Sequence, residues 1–594
     1  MKHANKRNRI PIIILACIGL LLCACSSKDA SKEKEEASIT EISVSSCTPV
    51  ITNTPEPTAT PIPTPEIPIS TADPNIETEK LNVVISEVNE FENNSTRLME
   101  CIYIGNNFVT FEDELRSNAI WADNLSQHLS EIDREALPAK EQSEYDTLRI
   151  YLNNLIQISH ADDLSFICFR NEYGYLKLPL ILYYYSIDSM EDAQKLIDVL
   201  NISPNYFNAV KSLLKSPLSA DIENEISVFL SKKFKKALSE RIDMQIQVCP
   251  EMERKDKKKA IKEIQEMLND VFFPSIKHLT DENDELQTDN SADNHEKDNN
   301  TDTEHRTGID ILTESVTGGT GTEEAIFLLE NNISNLLNVI QDLKDRNPSY
   351  RYEKMHFDKF SNEKTIQRLK KITEDYLKSE KIEEIQTIYS DVSICDITVP
   401  VFFNYENIWL NSKSPVKNQF FEIAMQTYPG TLYLRSKNDS NLKFLDSIDA
   451  YKKGWGRLAT EFVLTHQNLY DSEDALFYYA NETMTDYLLP SLIYLYANVK
   501  NYSLDEINGK LINVLSLYND KVSIENCMYS VNISKYITAI AYSQLSDLFQ
   551  EMSSTLGNKY IETDVLNKYL TMGPSYYSVL REKMDTWASE QSSY

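Results

Sequence analysis

The sequence predicts a mainly α-helical protein. Only 13 glycines occur in 594 residues, which leaves few residues for the turns of β-sandwiches or for glycine-rich phosphate loops. Apolar residues recur at three- and four-residue spacing in TLRIYLNNLIQ, namely Leu148, Tyr151, Leu152 and Leu155. A second stripe of this kind consists of Trp455, Leu458, Ala459, Phe462 and Leu469. Because such spacing places side chains on one helix face, we expect both stripes to be core.

Residues 1–24 have the three zones of a secretory signal peptide. Four lysines and arginines lie among the first nine residues, followed by an apolar run over residues 10–22 that is too short to span a bilayer. The run ends in LCAC, and cleavage before Cys25 leaves the small Ala24 at position −1, a pattern that resembles the lipobox of bacterial lipoproteins. We therefore predict that acyl chains on Cys25 anchor the protein at the extracytoplasmic face of the cell membrane. The alternative is a plain secretory signal with a cysteine there by chance.

Residues 25–78 are predicted to form the lipid anchor and a disordered stalk rich in serine, threonine and proline. The repeated prolines of TPVITNTPEPTATPIPTPEIP favour an extended, polyproline-like chain. At about 3 Å per residue, roughly fifty residues reach on the order of 150 Å when fully extended. Helical patterning dominates from Glu79 onward, so we predict a helical domain over residues 79–594.

An acidic segment interrupts this domain at residues 281–307. DENDELQTDNSADNHEKDNNTDTEHRT has almost no apolar residue, so we expect it to be disordered. His295 and His305 lie in it, and a solvated charged loop is favoured over weak metal binding. The GGTGT sequence that follows lacks the Gly-Lys-Ser/Thr of a phosphate-binding loop, so we interpret it as a loop that enters a helix.

Charge and cysteine usage exclude several classes of function. The formal net charge of −32 argues against nucleic-acid binding, which needs clustered lysine and arginine. The acidic surface is interpreted as a means of keeping an exported protein soluble. No CxxC pair occurs, which excludes a zinc ribbon or a dithiol redox motif. The disulfide status stays open for Cys101, Cys168, Cys249, Cys395 and Cys527.

Two local signals concern single positions. Ser503 and Glu506 in NYSLDEINGKL have the spacing of a capping box, so a helix should begin there. His466 lies within the second apolar stripe, on the same helix face, without another ligand one turn away. We interpret it as a partly buried packing residue.

Residues 424–435, AMQTYPGTLYLR, resemble the zinc-site motif of a large family of exported bacterial proteins, the domain of unknown function 885 (DUF885). That family shows Ala-His-Glu-Gly-Tyr-Pro-Gly-His. Tyr428, Pro429 and Gly430 keep the pattern. The positions of the first histidine, the glutamate and the second histidine hold Met425, Gln426 and Thr431. The resemblance implies a large helical domain similar to zincins and zinc carboxypeptidases.

The second half of the family's metal site is Glu-Gly-Trp-Ala, and the corresponding residues here are Lys453, Gly454, Trp455 and Gly456. Catalytic zinc needs about three ligands from histidine, carboxylate or cysteine side chains. Met425 and Thr431 are poor ligands, and the Lys453 ammonium repels a cation. A glutamine amide such as that of Gln426 does not accept a proton near neutral pH, so it cannot be a general base. We therefore predict no catalytic residue, no metal and no cofactor, on a scaffold retained by Tyr428, Pro429, Gly430, Gly454 and Trp455.

The resemblance covers nearly everything after the stalk. EYGYLKLPLILYYYSIDSMEDAQKLIDVL and LGNKYIETDVLNKYLTMGPSYYSVLREKMDTW are similar to corresponding segments of the family. The chain departs from the family pattern in the last segment, where Val565 and Leu566 replace Phe-His.

Two interpretations of the altered positions stay open. In the simpler one, Met425 and Thr431 fill space in a helical bundle. In the other, the Lys453 ammonium replaces the lost metal charge and pairs with Glu422 or Glu461.

The predicted function is a surface-anchored lipoprotein, a catalytically inactive member of a zinc-peptidase-like family that binds a peptide, cell-wall material or a surface protein. The alternative is a divergent hydrolase acting on extracellular peptides or cell-wall material. No Gly-x-Ser-x-Gly, His-Glu-x-x-His or Ser-x-x-Lys context with supporting structure stands out in favour of this alternative, and the eight histidines are dispersed. A solute-binding lipoprotein is a third hypothesis, although such proteins alternate strands and helices in two lobes.

Overall fold

The computed structural model describes residues 72–95, 103–104, 107–108, 111–160, 178–213, 220–280, 308–319, 321–350, 362–377, 387–390, 401–404, 407–411, 420–437, 441–442, 449–466, 472–518, 521–529 and 531–593. Residues 72–594 form one structural unit. The predicted signal peptide, Cys25, most of the stalk, and the acidic segment with His295 and His305 lie outside the described residues.

The first half of the unit is built almost entirely from helices. They are α1 (Pro74–Ser95), α2 (Phe111–Ser130), α3 (Ala139–Ile158), α4 (Leu178–Tyr184), α5 (Met190–Leu213), α6 (Ala220–Leu230), α7 (Lys232–Val248), α8 (Arg254–Met267), α9 (Phe273–His278), α10 (Gly308–Thr317) and α11 (Thr322–Arg346). A short antiparallel pair joins β1 (Tyr103–Ile104) to β2 (Asn107–Phe108).

The second half contains the candidate site. Its helices are α12 (Asn362–Leu377), α13 (Phe420–Gln426), α14 (Thr431–Ser436), α15 (Asp449–His466), α16 (Ser472–Glu482), α17 (Leu489–Asn498), α18 (Leu504–Tyr518), α19 (Ile524–Tyr529), α20 (Ile533–Leu556), α21 (Glu562–Thr571) and α22 (Tyr577–Ser593). Three strands form a small sheet in the order β3-β5-β4, namely β3 (Thr387–Ser390), β4 (Val401–Asn404) and β5 (Asn407–Asn411). Strand β5 runs parallel to β3 and antiparallel to β4. The predicted mainly α fold is confirmed.

The helical unit starts earlier than the sequence pattern indicated. Helix α1 begins at Pro74, whereas we expected helix only from Glu79. Proline suits the first helical position because its missing N–H has no partner there. The Asp73 carboxylate caps the helix by accepting a hydrogen bond of 2.9 Å from the Asn75 N–H. The predicted boundary of the stalk at residue 78 therefore lies inside α1.

Two π-helical turns interrupt longer helices, and each is followed by a proline. Leu268–Phe272 precedes Pro274, and Thr483–Leu488 precedes Pro490. A proline inside a helix removes one N–H donor and its ring displaces the carbonyl four residues earlier, so the preceding turn widens. π-helical turns occur frequently at functional sites, and the second one belongs to the candidate site.

The core of the second half is organised around α20. Fifteen of its 24 residues are buried. It packs against α15, α11 and α22, and the approach of α15 is close at Gly454. A Cβ atom on Gly454 would lie 2.8 Å from the carbonyl oxygen of Ala541, so a larger residue would push the two helices apart.

Helices α4 to α9 bury a hydrophobic core of their own within residues 178–280. Helices α7 and α8 are connected by residues 249–253 and pack side by side. Lys257 Nζ donates to the Gln247 carbonyl at 2.9 Å and Gln265 Nε2 to Asp243 Oδ1 at 2.8 Å. The two helices therefore run antiparallel and form a helical hairpin.

Several local predictions agree with the structure. Helix α18 begins directly after Ser503, whose N–H donates to the Glu506 carboxylate at 2.8 Å as in a capping box. Helix α11 begins at Thr322, directly after the glycine-rich turn, so that turn is a helix-entry loop. Leu148, Tyr151 and Leu152 are buried, as are Trp455, Leu458 and Ala459, whereas Leu155 and Phe462 are half-buried and Leu469 lies outside the described residues.

The two described cysteines are thiols. The Cys249 thiol is buried and donates to the Asp188 carbonyl at 3.0 Å, and neither it nor Cys527 belongs to a disulfide in the described part of the chain. Cys101, Cys168 and Cys395 lie outside that part.

Among the described helices, none combines the length and the apolar character needed to cross a bilayer.

Candidate functional site

The site is built on the turn between α13 and α14. Residues 427–430 form a bend with a cis peptide bond between Tyr428 and Pro429. The Gly430 N–H donates to the Ala424 carbonyl at 3.1 Å, which folds the turn back onto α13. A Cβ atom on Gly430 would lie 1.8 Å from the Met425 carbonyl oxygen, so only glycine fits this position.

Helix α15 holds this turn from the other side. The Trp455 indole is fully buried, stacks on Tyr569, and donates its Nε1–H to the Pro429 carbonyl at 2.8 Å. A Cβ atom on Gly456 would lie 2.9 Å from the Met425 carbonyl oxygen, so α15 approaches the end of α13 at backbone contact. The two sequence motifs, 29 residues apart at Met425 and Gly454, are thereby brought together in space.

The altered positions make contacts that belong to packing. The side chains of Met425 and Thr431 are buried, and Thr431 Oγ1 donates to the Met425 carbonyl at 3.2 Å. That bond uses the only hydroxyl proton of Thr431 and ties the start of α14 to the end of α13. Gln426 is half-buried at the last position of α13.

A buried arginine that the sequence analysis did not single out lies beside Met425. The Arg457 side chain is only 1% exposed, and its Nη1 lies 3.8 Å from the Met425 sulfur. Its Nη2 donates to Glu482 Oε2 at 2.9 Å and to Thr483 Oγ1 at 2.6 Å. The guanidinium also lies over the Tyr479 ring.

Two tyrosines, Tyr479 and Tyr487, enclose the guanidinium. Its central carbon is 4.2 Å from the ring centroid of Tyr479 and 4.4 Å from that of Tyr487, within the range of cation–π attraction. The Tyr479 hydroxyl donates to the carbonyl oxygen of Arg457 itself at 2.5 Å. Tyr487 belongs to the π-helical turn, and Glu482 immediately precedes it, so the widened turn shapes the surroundings of the arginine.

The electrostatics keep this cation charged. Burial works against the charged guanidinium, but Tyr479, Glu482 and Tyr487 together raise the pKa of Arg457 above its ordinary value. Burial raises the pKa of Glu482 and the arginine opposes that shift. One positive charge is therefore held permanently inside the site, balanced by a carboxylate whose side chain is 22% exposed.

These residues do not fit the zinc ion that the family resemblance implies. Within the described residues, no group of three or more histidines, cysteines or carboxylates could hold a metal. Met425, which stands where the resemblance implies a zinc ligand, lies against the Arg457 guanidinium instead. A doubly charged ion about 4 Å from a unit positive charge meets a repulsion on the order of 8 kcal/mol at an effective dielectric constant of about 20. The donor set and the charge at this position are both unsuited to a divalent cation.

Lys453 stands where the family resemblance implies a ligand glutamate. Its Nζ is 3.1 Å from Ser534 Oγ, near the start of α20. Glu461 is eight residues further along α15, an axial separation of about 12 Å, which is too long for a direct ion pair. Its carboxylate instead accepts a hydrogen bond from the Tyr542 hydroxyl at 2.8 Å. The predicted pairing of Lys453 with Glu461 is therefore wrong, and the side chain of Glu422 lies outside the described residues.

Burial raises the pKa of Glu461, while Tyr542 and Arg457 act in the opposite direction. The cation that acts on this carboxylate is thus Arg457. His466 is the last residue of α15, and its side chain lies outside the described residues.

One signal in the sequence could have revealed the buried cation. Arg457 lies between Trp455 and Leu458, so a basic residue directly adjoins the buried stripe of α15. A buried charge requires a partner, but the partner Glu482 is 25 residues away on another helix. The residue pattern of α15 alone therefore cannot identify Glu482 as the partner of Arg457.

Comparisons with known proteins show similarity in fold. A crystal structure of a candidate lipoprotein from Colwellia psychrerythraea matches with a TM-score of 0.62 and 9% identity, over 86% of this chain and 100% of that chain. A candidate lipoprotein of unknown function from Shewanella oneidensis matches with a TM-score of 0.50 and 11% identity, over 86% and 99% of the two chains. At such identity these likenesses concern the fold alone.

No protein-family model and no curated protein matches the chain. The DUF885 resemblance therefore stays a prediction.

Proposed function

We propose that this protein is a lipoprotein anchored through Cys25 at the extracytoplasmic face of the cell membrane, and that its helical unit is a binding module without zinc catalysis. The LCAC signal supports the anchor, as does the shared fold with two candidate lipoproteins. The stalk carries the helical unit away from the bilayer. The ligand classes considered are a peptide, cell-wall material or another surface protein, and nucleic acid is not among them.

The observation that carries the non-catalytic part is the buried Arg457 beside Met425. The guanidinium supplies a permanent positive charge at the motif that resembles a metal site, where Glu482 pairs with it and the rings of Tyr479 and Tyr487 enclose it. The retained glycines and Trp455 hold the backbone of that site together through close contacts. A metal ion is not needed to organise this backbone.

The test combines metal content with peptide hydrolysis. The unlipidated chain of residues 25–594 with Cys25→Ser, dialysed against buffer with added zinc and then without it, is expected to retain far less than one zinc per molecule. A peptide library is expected to remain uncleaved. About one tightly bound zinc per chain with hydrolysis that a chelator abolishes would instead establish the alternative, a divergent hydrolase.

A set of variants separates the role of Arg457 from that of the missing ligands. Met425→His, Gln426→Glu, Thr431→His and Lys453→Glu together restore the residue types of the family motif. We expect this fourfold variant to bind zinc weakly while Arg457 is present, and more tightly when Arg457→Leu is added. Far-ultraviolet circular dichroism checks that each variant is folded. Equal zinc affinity with and without Arg457 would contradict the electrostatic argument.

A further inference from the structure

A cluster of basic residues stands out on the hairpin of α7 and α8. Six of the nine residues 254–262 are lysine or arginine and one is acidic, so that basic residues outnumber acidic ones at this end of the hairpin even when the exposed Glu251 and Glu253 just before them are included. The whole chain has the opposite balance, with 59 basic and 91 acidic residues. Lys257 is engaged, because its Nζ donates to the Gln247 carbonyl at the end of α7. Four others are exposed at the start of α8, namely Arg254, Lys255, Lys258 and Lys259. Within the described part of the chain, none of these four forms an ion pair.

This charge arrangement does not stabilise the helix that carries it. Arg254 and Lys258 are four residues apart, as are Lys255 and Lys259, and like charges at that spacing repel each other. All four lie in the first two turns of α8, where the helix dipole favours negative rather than positive charge. A cluster that is unfavourable for its own helix indicates an anionic partner outside the unit.

Apolar side chains are exposed next to the cluster. Met244 and Val248 lie one turn apart on α7 and are 55% and 73% exposed. The hydrogen bond from Lys257 to Gln247 places the end of α7 beside the start of α8. Exposed apolar residues rimmed by lysines are the combination that inserts into the headgroup region of an anionic bilayer.

We propose that this tip of the hairpin, formed by Met244, Val248, Arg254, Lys255, Lys258 and Lys259, binds an anionic lipid surface. The basic residues are attracted to the lipid headgroups, and the two apolar side chains enter the boundary between headgroups and acyl chains. A hydrophilic polyanion offers no environment for Met244 and Val248, which favours a bilayer as the occupant. The long predicted stalk lets the unit return to the membrane that holds its anchor.

The experiment uses the unlipidated chain of residues 25–594 with Cys25→Ser, so its outcome does not depend on acylation. Co-sedimentation is measured with phosphatidylcholine vesicles with and without phosphatidylglycerol. We expect binding only to the anionic vesicles, weakened by salt. The variant Lys255→Glu/Lys258→Glu/Lys259→Glu should lose more than about a hundredfold in partition coefficient, since each basic residue near such a surface contributes about a fivefold factor and each introduced glutamate is repelled in addition.

A matched control reverses the charge of three lysines on other helices. Lys195→Glu/Lys364→Glu/Lys371→Glu replaces three exposed lysines of α5 and α12 and should keep its vesicle binding within about twofold, because the exposed charges lie on other helices. Acidic residues suit the start of α8, so the first triple variant should fold normally. Met244→Ser/Val248→Ser should weaken vesicle binding roughly tenfold by removing apolar area.

Three results would overturn the proposal. The first is no binding to anionic vesicles. The second is an equal loss in the control and in the tip variant. The third is that Met244→Ser/Val248→Ser leaves vesicle binding unchanged and that this variant and the unmodified chain bind soluble polyphosphate equally well. That result would assign the tip to a polyanion instead of a bilayer.

Discussion

Replacing Arg457 by methionine tests whether the buried cation organises the candidate site. The substitution keeps an unbranched apolar stem of similar length but removes the ion pair with Glu482, the hydrogen bond to Thr483 and both ring contacts. Removing one partner of a buried pair costs about 3–5 kcal/mol, because the other charge is left uncompensated. Each desolvated ring contact adds up to about 2 kcal/mol.

Two features of Glu482 reduce the loss of stability expected for Arg457→Met. The Glu482 side chain retains 22% of its exposure, and burial already raises the pKa of its carboxyl, so it can take up a proton when the arginine is lost. We therefore expect Arg457→Met to lower the free energy of unfolding by about 3 kcal/mol near neutral pH, at the lower end of the range for broken buried pairs. The loss should be smaller near pH 5, where protonation of Glu482 costs less.

The assay is urea unfolding followed by far-ultraviolet circular dichroism and by tryptophan fluorescence. Trp455 lies in the site, so fluorescence includes a local signal there. Coincident transitions from both signals justify comparing free energies. The second variant, Arg457→Met/Glu482→Gln, removes the unpaired carboxylate as well and should recover about 1–2 kcal/mol, since deleting both partners of a buried pair costs less than deleting one.

Arg581→Met is the matched control. Arg581 pairs with Glu551, but the two side chains are 39% and 33% exposed, so the change should cost about 1 kcal/mol or less. A loss below about 1 kcal/mol for Arg457→Met, or no recovery in the double variant, would refute the argument that this pair is buried and mutually dependent.

Two further predictions each compare a residue of the candidate site with a residue of α18. Gly430→Ala should abolish the native fold, because the added Cβ would lie 1.8 Å from a backbone carbonyl oxygen. Gly509→Ala is the control: Gly509 lies in α18 with open space around it, so alanine there should raise the free energy of unfolding by about 0.5–1 kcal/mol. Equal thermal unfolding transitions for the two variants would contradict this prediction. Glu461→Gln should raise stability at pH 7, because burial raises the pKa of the Glu461 carboxyl and the stability linked to its proton is lost as pH rises through that pKa. The gain should shrink towards pH 4 in thermal unfolding. Glu506→Gln should show the opposite sign, since hydrogen bonds to Ser503 lower the pKa of Glu506; a gain for both variants would be inconsistent with this reasoning.

Much of the local structure followed from the sequence because it depends on neighbours in the chain. The helical periodicity, the capping box at Ser503 and the glycine-rich entry to α11 are all set by residues within one or two turns. The start of α1 was missed by five residues, since Asp73 and Pro74 form a capping signal inside a proline-rich segment that was interpreted as stalk.

In the candidate site, too, some features followed from the sequence and others depended on the tertiary structure. The sequence by itself singled out the two segments around Met425 and Lys453, because they resemble a metal-site pattern in spacing and differ from it in residue type. Only the tertiary structure decided which cation lies in the site, since Arg457 meets Met425 and Glu482 across helices α13, α15 and α16. Contacts of this kind depend on how helices pack, and a single helix pattern records which face is buried but not which residue of another helix covers it.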